Sequence, residues 1–140
     1  MHVTDLAMNK ALGMELAPAG SGHLIEMAEA PLLLNHLGSI HASAQFALAE
    51  ACSAEFLINQ LGEAGSRTMA VLRTSDVKYR KPANGALRAA ARFSDSAEPG
   101  SLNELTSRGR ALASIAVEVS DVHGVVTMTG TYSWFLQKAE

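Results

Sequence analysis

The sequence predicts an α+β domain, one antiparallel sheet of five or six strands wrapped around a single long central helix. Three observations carry that expectation. Residues 41–60 are the only long run with helical spacing, with Ala44, Ala47, Leu48, Ala51 and Ile58 forming an apolar and mostly small stripe. Leu87, Ala89, Ala91 and Phe93 alternate with Arg88 and Arg92, the period of a strand with one buried face. Ala111, Ala113, Ile115, Val117 and Val119 then alternate in the same way, and Val126, Met128, Tyr132, Trp134 and Leu136 follow. Small helix side chains let a sheet approach closely.

The remaining elements fall between these. Residues 4–12 read as a short helix with Thr4 as its cap, broken by Gly13. Residues 14–17 and 23–28 form a first hairpin around a turn at 18–22, which Pro31 ends. Ser39 or Ser43 caps the central helix, and Gly62 and Gly65 close it. Residues 69–81 read as a strand with Val71, Ser75, Val77 and Tyr79 on one face. Asn84-Gly85 is the strongest turn signal present and is expected to pair that strand with residues 87–93, because primed hairpin turns want positive φ. After a loop at 94–100, Ser101-Leu-Asn-Glu104 has capping-box spacing and starts a short helix ending at Gly109. A turn at 121–124 joins the last two strands, and Gly130 marks a bulge in the final one.

Composition narrows the classes. A hydrophobic content of 48% in 140 residues supplies one core, so a single domain over 1–140 is expected. A formal net charge of −3 argues against a nucleic-acid surface. Cys52 stands alone and no basic segment precedes an apolar leader, so a reducing cytoplasm is the expected location. No apolar run reaches the roughly 20 residues that span a bilayer, so no membrane partner is expected.

Chemistry concentrates around the central helix. Glu50 has Phe46, Ala47, Ala51 and Ala54 as helical neighbours, an apolar setting that raises a carboxyl's pKa and makes it a candidate general base. Cys52 reads as inert packing and Glu55 as a solvated surface residue. The five histidines lack metal-ligand spacing, so no metal is expected; His36 and His41 read equally as turn residues.

Asn35, His41 after five intervening residues, and Glu50 nine residues after that histidine resemble the acyl-CoA thioesterases of the hotdog superfamily. Tyr79-Arg-Lys-Pro82 and the Val-x-x-x-Asp-x-x-Gly ending of Val117 to Gly124 look like the same family, so the match runs from about Lys10 to Phe135. The resemblance implies a hotdog fold and hydrolysis of an acyl-CoA or related acyl thioester. It makes Glu50 the base or nucleophile, the Ala42 backbone N–H the oxyanion donor, and Asn35 a residue orienting thioester or water; His41 stands at the family's His-Gly-Gly turn. Such chemistry needs a base or nucleophile and donors aimed at the oxyanion, which free helix N-terminal amides supply. Gly38, Ser39 and Ser43 flank the same turn as substrate-binding positions, and Lys78, Arg80 and Arg88, beside Lys81 and Arg92, form a basic patch for coenzyme A phosphates. No cofactor is implied beyond the coenzyme A moiety of the substrate.

His41-Ala42-Ser43 departs from His-Gly-Gly by adding a methyl group where a substrate approaches, which places the chain nearer an uncharacterised thioesterase-like branch. Ala42 and Glu50 are eight residues apart on one helix, about 12 Å, so they cannot both touch one thioester carbon. If both act, they come from different subunits, and a homo-oligomer, dimer or tetramer, is expected. Two alternatives remain open at this level: a hydroxyacyl thioester dehydratase using His41, and a non-catalytic acyl-ligand binding domain.

Overall fold

The computed structural model describes residues 1–94 and 100–139. Its centre is α2, Ala42–Leu61, whose Ala44, Ala47, Leu48 and Ala51 are buried while Ile58 packs at the edge of the core. Gly62 ends the helix at φ +57°, a left-handed conformation that glycine adopts without a Cβ clash. The cap is His41 rather than Ser39 or Ser43: its Nδ1 accepts the Ser43 N–H at 2.9 Å. Ser39 is unavailable because its hydroxyl is engaged by Asn35, and Ser43 already lies within the first turn.

Around α2 curves one six-stranded, wholly antiparallel sheet, the hotdog arrangement. Its strands are β1 (Met14–Leu16), β2 (Ile25–Met27), β3 (Thr68–Tyr79), β4 (Leu87–Phe93), β5 (Arg110–Asp121) and β6 (Val126–Lys138), in the order β1-β2-β4-β5-β6-β3. The inner row of β5 is buried throughout, as are Met128, Tyr132, Trp134 and Leu136 of β6. The β5–β6 turn forms as expected, with the Gly124 N–H bonded to the Asp121 carbonyl at 3.1 Å. A short helix, α3, covers Gly100–Arg108, while most of the expected 94–100 loop and the Ser101 side chain of the capping box lie outside the described residues.

Five expectations need correction. First, β3 pairs with β6 and not with β4, so Asn84-Gly85 closes no β3–β4 hairpin. The segment after Tyr79 is instead tied across the end of the sheet: Arg80 and Lys81 N–H groups donate to the Thr127 carbonyl, the Ala83 carbonyl accepts from Ile40, and Gly85 donates to Glu29. Pro82 has no N–H with which to continue a ladder. Second, an extra residue between Leu72 and Thr74 shifts the β3 register, so Leu72 takes the inner face and Val71 aligns with Phe135 on the outer one. Third, Gly130 marks no bulge; an added Cβ would lie 2.8 Å from Val77 Cγ1, so close packing requires it. Fourth, the N-terminal helix splits into a 3₁₀ turn at Val3–Asp5 and α1, Ala7–Ala11, and Thr4 caps neither. Fifth, Glu55 is buried: its Oε1 accepts the Val3 N–H at 3.0 Å and its Oε2 lies 2.6 Å from His2 Nδ1.

Candidate active site

The turn before α2 is built by one asparagine. Asn35 Oδ1 accepts the Leu37 and Ser39 N–H groups at 2.9 and 3.1 Å, and Gly38 supplies the φ of +79° that closes the loop. The chain then reaches His41 and enters the helix at the exposed Ala42, whose N–H belongs to the first turn and has no intrahelical acceptor. The Tyr79 hydroxyl donates to the Ala42 carbonyl at 3.2 Å, which fastens the edge strand to the helix start.

These elements enclose an open cleft of about 330 Å³ lined by Asn35, Ser39, Ala42, Gln45, Tyr79 and Arg80, among others. Gln45 was not anticipated. Only 4% of it is exposed, yet its Oε1 has no hydrogen-bond partner. The signal was present, since Gln45 shares a helix face with the apolar Leu48, Ala49 and Cys52.

Glu50 lies two turns further along. The helix is unbroken between the two, so Glu50 stands about 12 Å from Ala42 and about 80° round the axis. Its backbone is anchored to the sheet: Trp134 Nε1 donates to Ser53 Oγ at 2.9 Å, and that hydroxyl donates to the Glu50 carbonyl at 2.7 Å. The side chain is half-buried, and loss of hydration holds its carboxyl above the ordinary value of 4.5. Among the described residues its carboxylate has no hydrogen-bond or ion-pair partner. Burial, with smaller contributions from Tyr79, Glu50 and Cys52, pushes the Tyr132 phenol up; its O–H donates to the Phe46 carbonyl at 3.1 Å. Cys52 is fully buried, and that burial, helped by Glu55, pushes its thiol up to about 12, an unreactive state.

The structure therefore brings Asn35, Ser39, Ala42 and Arg80 to one cleft, with Gly38, His41 and Ser43 in the adjoining turn. Of the basic residues it brings Arg80 and Arg92 to one further cavity, of about 450 Å³, which Lys78, Lys81 and Arg88 do not line. Arg80 Nε donates to Thr129 Oγ1 at 2.9 Å and Lys78 faces outward opposite the same residue, whereas Arg88 lies on β4 opposite Glu26 and Ser120. Strands β5 and β6 separate them. Among the described residues no group of three or more His, Cys, Asp or Glu side chains forms a metal site, and no helix is long and apolar enough to cross a membrane.

Residues 18–136 match the family model described as Domain of unknown function (DUF4442). No curated protein matches the sequence. Among solved structures, a Pseudomonas aeruginosa protein of unknown function, named as a probable thioesterase, superposes with a TM-score of 0.80 at 23% identity, covering 97% of this chain and 91% of its own. A Bacillus halodurans protein crystallised with CoA gives 0.70 at 19%, covering 92% and 74%. A thioesterase from Staphylococcus aureus, solved as a glutamine-to-alanine variant, gives 0.72 at 14%, covering 94% and 99%.

Proposed function

The chain belongs to the DUF4442 family, and from its hotdog fold and the setting of Glu50 we propose that it is a thioesterase hydrolysing an acyl-CoA or related acyl thioester. The observation that carries this reading is a half-buried carboxyl, raised by desolvation and unpaired, on a helix whose first N–H, that of Ala42, lies two turns away without an intrahelical acceptor. A carboxylate whose pKa is moved toward neutrality is suited to exchange protons with water. As base, Glu50 takes a proton from water, the water oxygen attacks the thioester carbon, and the Ala42 N–H donates to the oxyanion. The C–S bond then breaks and the sulfur leaves with the proton that Glu50 held. As nucleophile, Glu50 would instead attack the thioester carbon and expel the sulfur as thiolate, giving an acyl anhydride; water then opens it to the free acid and the Glu50 carboxylate, and the released proton goes to the thiolate. The probable and named thioesterases among its structural neighbours, and the CoA in one of them, support the substrate class.

The reading requires two copies of the chain. Among the described residues the 12-residue β3 is an edge strand paired with β6 alone, and its Met69, Val71 and Tyr79 are exposed. Two such edges meeting antiparallel about a two-fold axis would cover both and bring the helix start of one subunit toward Glu50 of the other. Arg80 and Lys78 then serve the phosphates of the thiol carrier.

A thiol-release screen across acyl-CoAs of different chain length and aromaticity tests the proposal. Free thiol from at least one of them, lost in Glu50→Gln, is the expected result. Conversion of a hydroxyacyl-CoA to an enoyl product without thiol release would make the protein a dehydratase, and tight binding without turnover would make it a binding domain.

A further inference from the structure

Gln45 is a polar side chain placed where the fold has no use for one. It stands on the face of α2 that carries Leu48, Ala49 and Cys52, all buried, and is itself only 4% exposed. A buried amide oxygen without a partner loses its hydration and gains nothing within the chain, so a leucine or methionine there would stabilise the fold. Gln45 lines the same cleft as Ala42, three residues and about 4.5 Å of helix rise further in.

Exposure orders the cleft from outside to inside. Arg80 and Lys81 are exposed at its mouth, Ala42 is exposed at the helix start, and Gln45 is buried. A thioester whose charged carrier remains in solvent near the two cations, and whose carbonyl reaches Ala42, places its acyl group against Gln45. A plain alkyl chain would leave the amide unsatisfied; a hydroxyl close to the carbonyl would complete it, because a carboxamide offers both an acceptor and a donor.

We infer that Gln45 selects the acyl group, and that the site takes acyl thioesters carrying a hydroxyl within a few bonds of the carbonyl in preference to their unsubstituted counterparts. The inference deepens the thioesterase reading and rests on it for the placing of the carbonyl at Ala42. A site that must hydrogen bond its ligand discriminates strongly against an analogue lacking the group, since its own buried polar atoms are then stranded.

The test compares 3-hydroxybutyryl-CoA, in both configurations, with butyryl-CoA. Thiol release measures kcat/KM in the wild type and in the volume-matched Gln45→Met. Calorimetry measures affinity in Glu50→Gln, which reads binding without turnover. One hydroxylated enantiomer should be favoured by about tenfold or more in the wild type, a single added hydrogen bond being worth about that factor. In Gln45→Met the ratio should fall to about one while the Tm holds or rises. Equal kcat/KM for the three thioesters in the wild type, or a preference that survives Gln45→Met, overturns the inference and leaves the hydrolase reading intact. Discrimination in binding with no thiol released would sink hydrolysis and keep the role of Gln45, whereas absence of binding to any of the three rejects both.

Discussion

Complementation between two inactive variants tests whether the site is shared between subunits. Glu50→Gln removes the base at nearly constant volume, and Ala42→Pro deletes the helix-start N–H. The structure makes the second change tolerable. Ala42 is the first helical residue, its side chain is exposed, and its N–H has no intrahelical acceptor. Its predecessor, His41, already sits at φ −61° and ψ 140°, the extended conformation that a residue before proline prefers. The Tyr79 bond is made to the Ala42 carbonyl, which proline keeps. Each pure variant should be inactive. After an equimolar mixture is unfolded and refolded, random pairing makes half of the dimers mixed. In each of those, one composite site carries both lesions and the other carries none, so half of a half, or about a quarter of wild-type activity, should return. Thiol release measures the activity, and differently tagged chains verify the pairing. Mixed dimers that are present and inactive would refute the shared site.

For Glu50→Gln alone, thiol release should fall by about 10²–10⁴-fold at pH 7, and wild-type turnover in that variant would remove Glu50 from the mechanism. The folded-state pKa of Glu50 is raised, so its ionisation favours unfolding: the wild type should match Glu50→Gln in stability below about pH 4.5 and lose ground as pH rises through the folded value. A Tm difference that is constant from pH 4 to 8 would contradict this. Gly130→Ala should cost about 1–3 kcal/mol through its contact with Val77, and Val77→Ala in the same chain should recover most of it by denaturant unfolding; no recovery means that the strain lies elsewhere. Glu55→Leu should strand the Val3 N–H, costing about 1–3 kcal/mol and lowering Tm by roughly 3–10 °C, so an unchanged Tm would exclude the contact as a stabilising one. Arg80→Gln should raise KM for acyl-CoA in a manner that added salt suppresses, whereas Arg88→Gln, two strands away, should not; equal effects would point to a general field rather than a carrier contact.

Local periodicity made much of this fold legible. The bounds of α2, the inward rows of β5 and β6, and the apolar setting of Glu50 all follow from which residues recur at 3.6 or 2 positions. Sheet order was not legible, because Asn84-Gly85 satisfies hairpin chemistry locally and is overruled by bonds to Thr127, Ile40 and Glu29, all distant in sequence. The β3 register was hidden for a related reason: Val71, Leu72 and Arg73 carry no alternation that would reveal an extra residue. Asn35, Ser39 and Ala42 were readable as members of one turn, but their meeting with Arg80 depends on where β3 ends against the helix start. Glu55 was misread because both of its partners lie in the N-terminal segment, which no helix pattern connects to α2.

That last contact sets an order of events during synthesis. Val3 and His2 bond to Glu55 across 52 and 53 residues of chain, with Val3 buried only once the second half of α2 exists. At about 5–20 residues per second, a ribosome takes roughly 3–10 s to make the intervening stretch. Throughout that interval Val3 lacks the partner that receives its N–H in the fold. Docking of the N-terminal turn therefore waits on the second half of α2 and is no template for it.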